Sequence, residues 1–303
     1  MSHENPRHFV SASQFSREEL DQFLARSEVF KKVIASRDFT LPLKGKEFGV
    51  LFFEPSTRTR FSFESAIHRL GGNITGFADA EVSRAGVTWK ESLSDTARIM
   101  NGYVDAIVFR HIEAGQLEQY LQHSTVPVIN AGDGYGDESE HPTQGLLDIF
   151  TIHELFGKID GLSILIMTFP TSRAMHSLLL YLSRFKDVLV TLCTEPGQYL
   201  PDVFAEKLRA HGLQINYAHS LDERLYDTDV LYMAGLEGAE VRPELTLTRE
   251  KLMRAKPGMK ILHCLPRGDE LPFDIDDTPH AAYFQQAENG VPVRMAVLEY
   301  VFR

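Results

Sequence analysis

The stretch from Phe48 to Asn73 constrains the fold more than any other. It opens on an apolar run, Phe48-Gly49-Val50-Leu51-Phe52-Phe53, which reads as a buried strand. Glu54-Pro55 breaks the run, and Ser56-Thr57-Arg58-Thr59-Arg60 follows. Phe63, Ile67 and Leu70 then recur at helical spacing until Gly71-Gly72 ends the helix. The Ser/Thr/Arg cluster therefore lies where a strand feeds a helix N-terminus. Free backbone N–H groups point outward there, and the helix dipole favours an anion. Hydroxyls add donors, and a guanidinium grips a phosphate through two parallel bonds. An ordinary N-cap at Ser56 or Thr57 explains one hydroxyl, but not a run of them around two arginines. The cluster predicts a phosphate site.

The rest of the chain repeats this strand-to-helix alternation. Ser16 to Ala35 reads as an amphipathic helix, with Leu20, Phe23, Leu24, Val29 and Phe30 largely on one face. Short strands are expected over 74–80, 103–109 and 126–130, with a loop over 81–89 and a helix over 90–100. Pro142 suits a first helical turn, and Leu146, Ile149, Phe150, His153 and Phe156 continue one face to Gly157. A second series follows: strands at 162–168, 188–193, 214–218, 229–233 and 259–263, helices at 172–184, 202–211 and 248–255, and a terminal helix from Gly290. The pattern predicts an α/β protein of two doubly wound domains, each a parallel sheet flanked by helices. No Pro/Ser-rich linker separates the series, so the boundary falls within continuous structure, in the helix after His141.

Composition narrows the function classes. With 303 residues there is ample core for two domains. The net charge of −11 argues against a nucleic-acid surface, and no apolar run reaches the roughly 18 residues of a membrane span. The N-terminal residues lack the apolar core of a signal peptide, and Cys193 and Cys264 make no disulfide framework, so a cytoplasmic location is expected. On an acidic body, clustered cations become informative.

Four polar groups fall at predicted strand ends or helix starts: the 56–60 cluster, Arg110, His141 with Gln144, and His263. Singly they are weak. Arg110 reads as a surface cation, His141 as a satisfied turn histidine, and Cys264 as a small core residue. Together they describe a crevice rich in donors with no obvious nucleophile or metal-ligand set. That chemistry suits a bound phosphate and a polarised carbonyl.

With these residues assembled, the chain resembles the aspartate/ornithine carbamoyltransferase family. The resemblance rests on Ser56-Thr57-Arg58-Thr59-Arg60, Lys90-Glu91-Ser92, Arg110, His141-Pro142-Thr143-Gln144, Arg173 and His263-Cys264-Leu265-Pro266, in family order across nearly the full chain. Thr278-Pro279-His280, Tyr283 to Ala287, Asn130 to Gly134 and Gly145 to Phe150 resemble the aspartate branch. The resemblance implies a carbamoyl-phosphate domain over 1–143, joined by a C-terminal helix over 288–303 that packs back on it. The amine-substrate domain would span 144–287. It implies a homotrimer with shared active sites, and no cofactor or metal. Ser56, Thr57, Arg58 and Thr59 would hold the phosphate, with Lys90 reaching it from a neighbouring subunit. Thr59, Arg110 and His141 would polarise the carbamoyl oxygen, making them catalytic together with Arg58. Gln144, with backbone carbonyls near Cys264 and Leu265, would orient the carbamoyl nitrogen, and Arg173 would hold an α-carboxylate.

The acceptor half departs from the aspartate branch. Gly235 and Glu237 stand where aspartate enzymes carry an arginine and a glutamine for the substrate's side-chain carboxylate. Trp89-Lys90-Glu91 and His263-Cys264-Leu265-Pro266 read more like the ornithine branch, whose Asp and Ser-Met-Gly motifs are nevertheless missing. The expected acceptor is a small amine other than aspartate, contacted by Arg173, Glu237, Cys264 and Leu265. The alternative is aspartate itself, with Arg242 replacing the lost arginine. A catalytically inactive partner subunit is disfavoured, because it has no need for an intact carbamoyl-phosphate set. A nucleotide-binding protein is disfavoured by the absence of a Gly-rich first turn.

Overall fold

The computed structural model describes residues 6–86, 90–234 and 242–303. Helix α1 (Arg17–Ser36) starts at a capping box in which Ser16 and Glu19 satisfy each other's backbone N–H. Strand β1 (Glu47–Phe52) leads through Glu54-Pro55 into α2 (Thr57–Arg69), and β2 (Asn73–Phe77) follows. Then come α3 (Leu93–Met100), β3 (Ala106–His111), α4 (Gln116–Leu121) and β4 (Val128–Asp133). The first sheet has the order β2-β1-β3-β4, and every pair is parallel.

Helix α5 (Pro142–Phe156) runs next, and is buried at every position from Pro142 to Ile152. The second sheet is built from β5 (Ser163–Met167), β6 (Leu189–Cys193), β7 (Ile215–Ala218), β8 (Val230–Met233) and β9 (Lys260–His263), in the order β7-β6-β5-β8-β9, again all parallel. Its crossovers include α6 (Arg173–Leu182), α7 (Asp202–Ala210) and α8 (Arg249–Leu252). Parallel strands covered on both faces read as continuous apolar runs, as Val50 to Phe52 and Ile164 to Met167 do.

The chain closes with α9 (Tyr283–Glu288) and α10 (Gly290–Tyr300). Helix α10 returns to pack on α1 and α2 beside the first sheet, and also touches α5. Helix α5 lies against both β4 and α6, so it belongs structurally to both layers. One continuous apolar cluster runs from Phe48 and Phe63 through Leu146 and Ile149 to Ile164 and Tyr232. Each fully buried Leu or Phe in it contributes about 1.5–3 kcal/mol of transfer free energy.

Three of the differences from the sequence expectation have identifiable reasons. Arg110 and His111 lie inside β3 rather than beyond it, because β1 and β4 both pair that far along. Helix α4 has no sequence signal beyond Leu117 and Tyr120, and starts at Gly115 in a left-handed conformation. Helix α9 is a short turn packed on β9 and α5.

Candidate active site

The C-terminal ends of β1, β3 and β5 and the N-termini of α2, α5 and α6 face one cavity of about 680 Å³. Such a crevice is where doubly wound sheets bind ligands. Glu54 to Thr59, Arg110, His141, Gln144, Arg173, Cys264 and Leu265 all line it. Ser56 occupies the N-cap position of α2, yet its side chain makes no capping bond. The open end of a 13-residue helix, with Ser56, Thr57, Arg58 and Thr59 around it, therefore faces the cavity.

Arg110 and Arg173 share one carboxylate. Arg173 Nη2 donates to Glu54 Oε2 at 2.7 Å and Oε1 at 3.0 Å, and Arg110 Nη2 lies 3.1 Å from Oε2. Tyr135 donates its hydroxyl to Oε1 at 2.8 Å and sets its ring against the Arg173 guanidinium. Arg110 Nη1 donates to Ala131 O, and Arg173 Nη1 to Gly134 O. Gly132 makes this possible: a Cβ there would come within 2.7 Å of Arg110 Nη1, and its φ of +119° suits glycine. Burial, then the neighbouring Arg173, pushes Arg110 down to about 10, so it stays charged at neutral pH. Its Nε has no partner among the described residues.

His141 is buried between Thr59 and Thr143, with Nε2 3.4 Å from Thr59 Oγ1 and Nδ1 3.4 Å from Thr143 Oγ1. Burial, with Arg110, Arg173 and Arg294 nearby, holds it well below the ordinary histidine value. A neutral imidazole can donate one N–H without adding a proton to the chemistry. Its backbone N–H is held by Ser177 Oγ at 2.9 Å.

His263 has a different job from the one its position suggests. Its Nδ1 accepts from Leu265 N at 2.7 Å and its Nε2 faces Glu270 Oε1 at 2.9 Å, so both ring nitrogens hold the 263–270 turn. Within that turn Leu265 has a left-handed φ of 57°, the kind of strained backbone that gathers at functional sites.

One expected site residue is not brought to the cavity, and another falls outside the described residues. Lys90 is exposed and does not line the cavity of its own chain. Glu237, with Gly235, lies outside the described residues, as does Trp89. Arg242 is absent from the lining and lies 3.4 Å from Glu244. Conversely, sequence reasoning missed Glu54, which looked like a strand breaker. It also missed Asp148, Tyr232 and Gln286, which form a buried polar cluster behind Gln144. An acid in the otherwise apolar run from Gly145 to Phe150 was the available signal for Asp148.

Comparison with known proteins agrees with this geometry. The family described as aspartate/ornithine carbamoyltransferase, carbamoyl-P binding domain, matches residues 7–154, and its Asp/Orn binding domain matches residues 160–301. The aspartate carbamoyltransferase catalytic subunit of Archaeoglobus fulgidus is 41% identical, covering 97% of this chain and 99% of that one. That of Chromobacterium violaceum is 40% identical, covering 97% of each. Among solved structures, aspartate transcarbamoylase from Trypanosoma cruzi in complex with aspartate and phosphate superposes with a TM-score of 0.89 at 34% identity, covering 97% of this chain and 95% of that one. The catalytic subunit of M. jannaschii aspartate transcarbamoylase gives 0.86 at 36% identity, covering 97% of each. These relatives are named for aspartate. A donor-lined crevice between two parallel sheets, matched along both halves of the chain, makes this protein a carbamoyltransferase of the aspartate/ornithine carbamoyltransferase family.

Proposed function

We propose that this chain transfers the carbamoyl group of carbamoyl phosphate to the amino group of an α-amino acid, with aspartate as the acceptor its relatives favour. One observation carries the reading: Thr59, Arg110, His141 and Gln144 converge on the cavity that also holds the open N-terminus of α2 and Arg173. Residues 1–143 with 288–303 bind the donor, and 144–287 bind the acceptor. Ser56, Thr57, Arg58 and Thr59 hold the phosphate. Thr59, Arg110 and His141 donate to the carbamoyl oxygen, Gln144 and the backbone near Cys264 and Leu265 face its nitrogen, and Arg173 takes the α-carboxylate. Because Glu54 already occupies Arg173, the incoming carboxylate exchanges with Glu54.

The neutral amine attacks the carbonyl carbon, and the new C–N bond places negative charge on the carbamoyl oxygen. Donors already aimed there lower the barrier. The bond from the carbonyl carbon to the bridging phosphate oxygen then breaks, phosphate leaves with that oxygen and the electron pair, and it accepts the amine's proton. Lys90 acts from a neighbouring subunit of a homotrimer, which accords with its exposure on its own chain.

A second reading, an acceptor with a neutral or cationic side chain, rests on Gly235 and Glu237 in the sequence and on Arg242 standing away from the cavity. A glycine cannot pair a carboxylate, and a glutamate repels one. The test is kcat/KM for aspartate beside diamino and neutral amino acids, with carbamoyl phosphate as donor. Aspartate ahead by tenfold or more supports the first reading; a diamino or neutral acid ahead by that margin supports the second. Under the second, Gly235→Arg with Glu237→Gln raises aspartate turnover.

A further inference from the structure

Behind Gln144 lies a carboxylate that touches no part of the cavity. Asp148 sits one helical turn along α5 and is 0% exposed. Its Oδ1 accepts from Gln144 Nε2 at 2.8 Å and from Gln286 Nε2 at 2.7 Å, and its Oδ2 accepts from Tyr232 OH at 3.0 Å. The three donors come from α5, α9 and β8. Gln286 is itself fixed, because its Oε1 accepts from His263 N at 2.7 Å. On α10, Arg294 adds a favourable charge.

Gln286 must present its NH2 to Oδ1, because its Oε1 is taken by His263 N, and any proton on Asp148 sits on Oδ2 facing Tyr232; Oδ1 therefore stays an acceptor, and the Gln144 group facing it is the NH2. The amide's other end, Oε1, is left as the acceptor that Gln144 contributes to the cavity lining. Carbamoyl phosphate differs from acetyl phosphate by an NH2 in place of a methyl group. An acceptor at this point recognises that difference, whereas a donor would oppose it.

We propose that Asp148 is the positioning residue that fixes the orientation of the Gln144 amide, and so selects a carbamoyl over an acetyl donor. The inference rests on the proposed role of Gln144. Asp148→Asn replaces a carboxyl whose Oδ1 accepts with an amide that can place its NH2 there, so the Gln144 amide can turn over. The selectivity ratio, kcat/KM for carbamoyl phosphate over that for acetyl phosphate, should fall at least tenfold. Most of the loss should be in KM for carbamoyl phosphate, with acetyl phosphate within twofold of wild type. A general loss of structure would lower both donors together.

Gln144→Leu should show the same loss, and adding Asp148→Asn to it should lower the ratio no further, because Asp148 acts through Gln144. Parallel loss for both donors, no change in the ratio, or a further fall in the double variant overturns the inference. Should Asp148→Asn not fold, the wild-type chain crystallised with phosphonoacetamide decides. A ligand NH2 within hydrogen-bond distance of Gln144, with the Gln144–Asp148 contact retained, supports the inference; a broken contact overturns it. A wild-type chain that neither binds phosphonoacetamide nor consumes carbamoyl phosphate overturns the proposed function, and with it this inference.

Discussion

Removing the Glu54 carboxylate should destabilise this protein more than any single cation of the site. Glu54 is 12% exposed in its side chain, and it faces Arg110 and Arg173, at 10% and 8%. Both guanidiniums stay anchored to backbone carbonyls in Glu54→Ala, so neither can swing out to water without breaking those bonds. Two adjacent buried cations would then share no counter-ion. Breaking a buried ion pair from one side costs about 3–5 kcal/mol. The cavity admits water, which screens part of this, so the lower end applies, about 3 kcal/mol. At roughly 2–4 °C per kcal/mol for a chain of this size class, the melting midpoint should fall by roughly 6–12 °C. Glu54→Gln, which keeps the acceptor and loses the charge, should fall between the variant and wild type. Inorganic phosphate should recover part of the loss in Glu54→Ala by supplying an anion to the folded state. The assay is a thermal melt of the three proteins with and without phosphate. A midpoint within 2 °C of wild type for Glu54→Ala would refute the shared-counter-ion account.

Arg58→Ala should lower kcat/KM by about 30- to 1,000-fold, corresponding to about 2–4 kcal/mol of transition-state stabilisation; near-normal turnover would remove Arg58 from the phosphate site. Inactive Lys90→Ala subunits mixed with inactive His141→Ala subunits should regain activity, since some hybrid sites then carry both native residues; no recovery with proven subunit exchange counts against shared sites. His141 titrates well below 6.5 in the folded protein, so the unfolded chain binds a proton first as pH falls. Its contribution is therefore present above about pH 6.5 and is lost below it, by up to about 1.4 kcal/mol per pH unit. His141→Asn should flatten that slope in denaturant titrations between pH 5 and 7. Asp148 has the opposite sign, because burial raises it from 3.8 to about 7 against the pull of Gln286, Tyr232 and Gln144. Its contribution falls as pH rises from about 4 to 7 and is level above that, and Asp148→Asn should abolish this fall.

The strand–turn–helix at 48–73 was legible because its apolar run and its helical spacing are local signals, and β1 and α2 lie there. The two parallel sheets followed from the alternation, since strands buried on both faces cannot hide their apolar runs. That Ser56 to Thr59 face the cavity was legible from their own strand–helix junction, whereas Arg110, His141, Gln144 and Arg173, which also line it, were weak singly and became readable only together. Glu54 could not be read, because its role depends on Arg110 and Arg173, which reach it from other strands and helices. His263 lines the cavity as expected, but what its ring does is decided by Glu270 and the backbone of Leu265, which the sequence alone does not place beside it. Asp148 had a readable signal, a lone acid in an apolar helix, but its partners Tyr232 and Gln286 are more than 80 residues away. The short helices α4 and α9 owe their existence to what they pack on rather than to propensity.

Carbamoyl transfer itself is tested most directly by following the carbonyl carbon. The wild-type chain is incubated with carbamoyl phosphate labelled at that carbon and with aspartate, or with whichever acceptor leads the panel. The label should appear on the acceptor's nitrogen, one carbamoyl for each phosphate released, with Arg110→Ala and His141→Ala each slowing both by the same factor. Phosphate release without label on the acceptor, or transfer that survives both substitutions undiminished, would contradict the account.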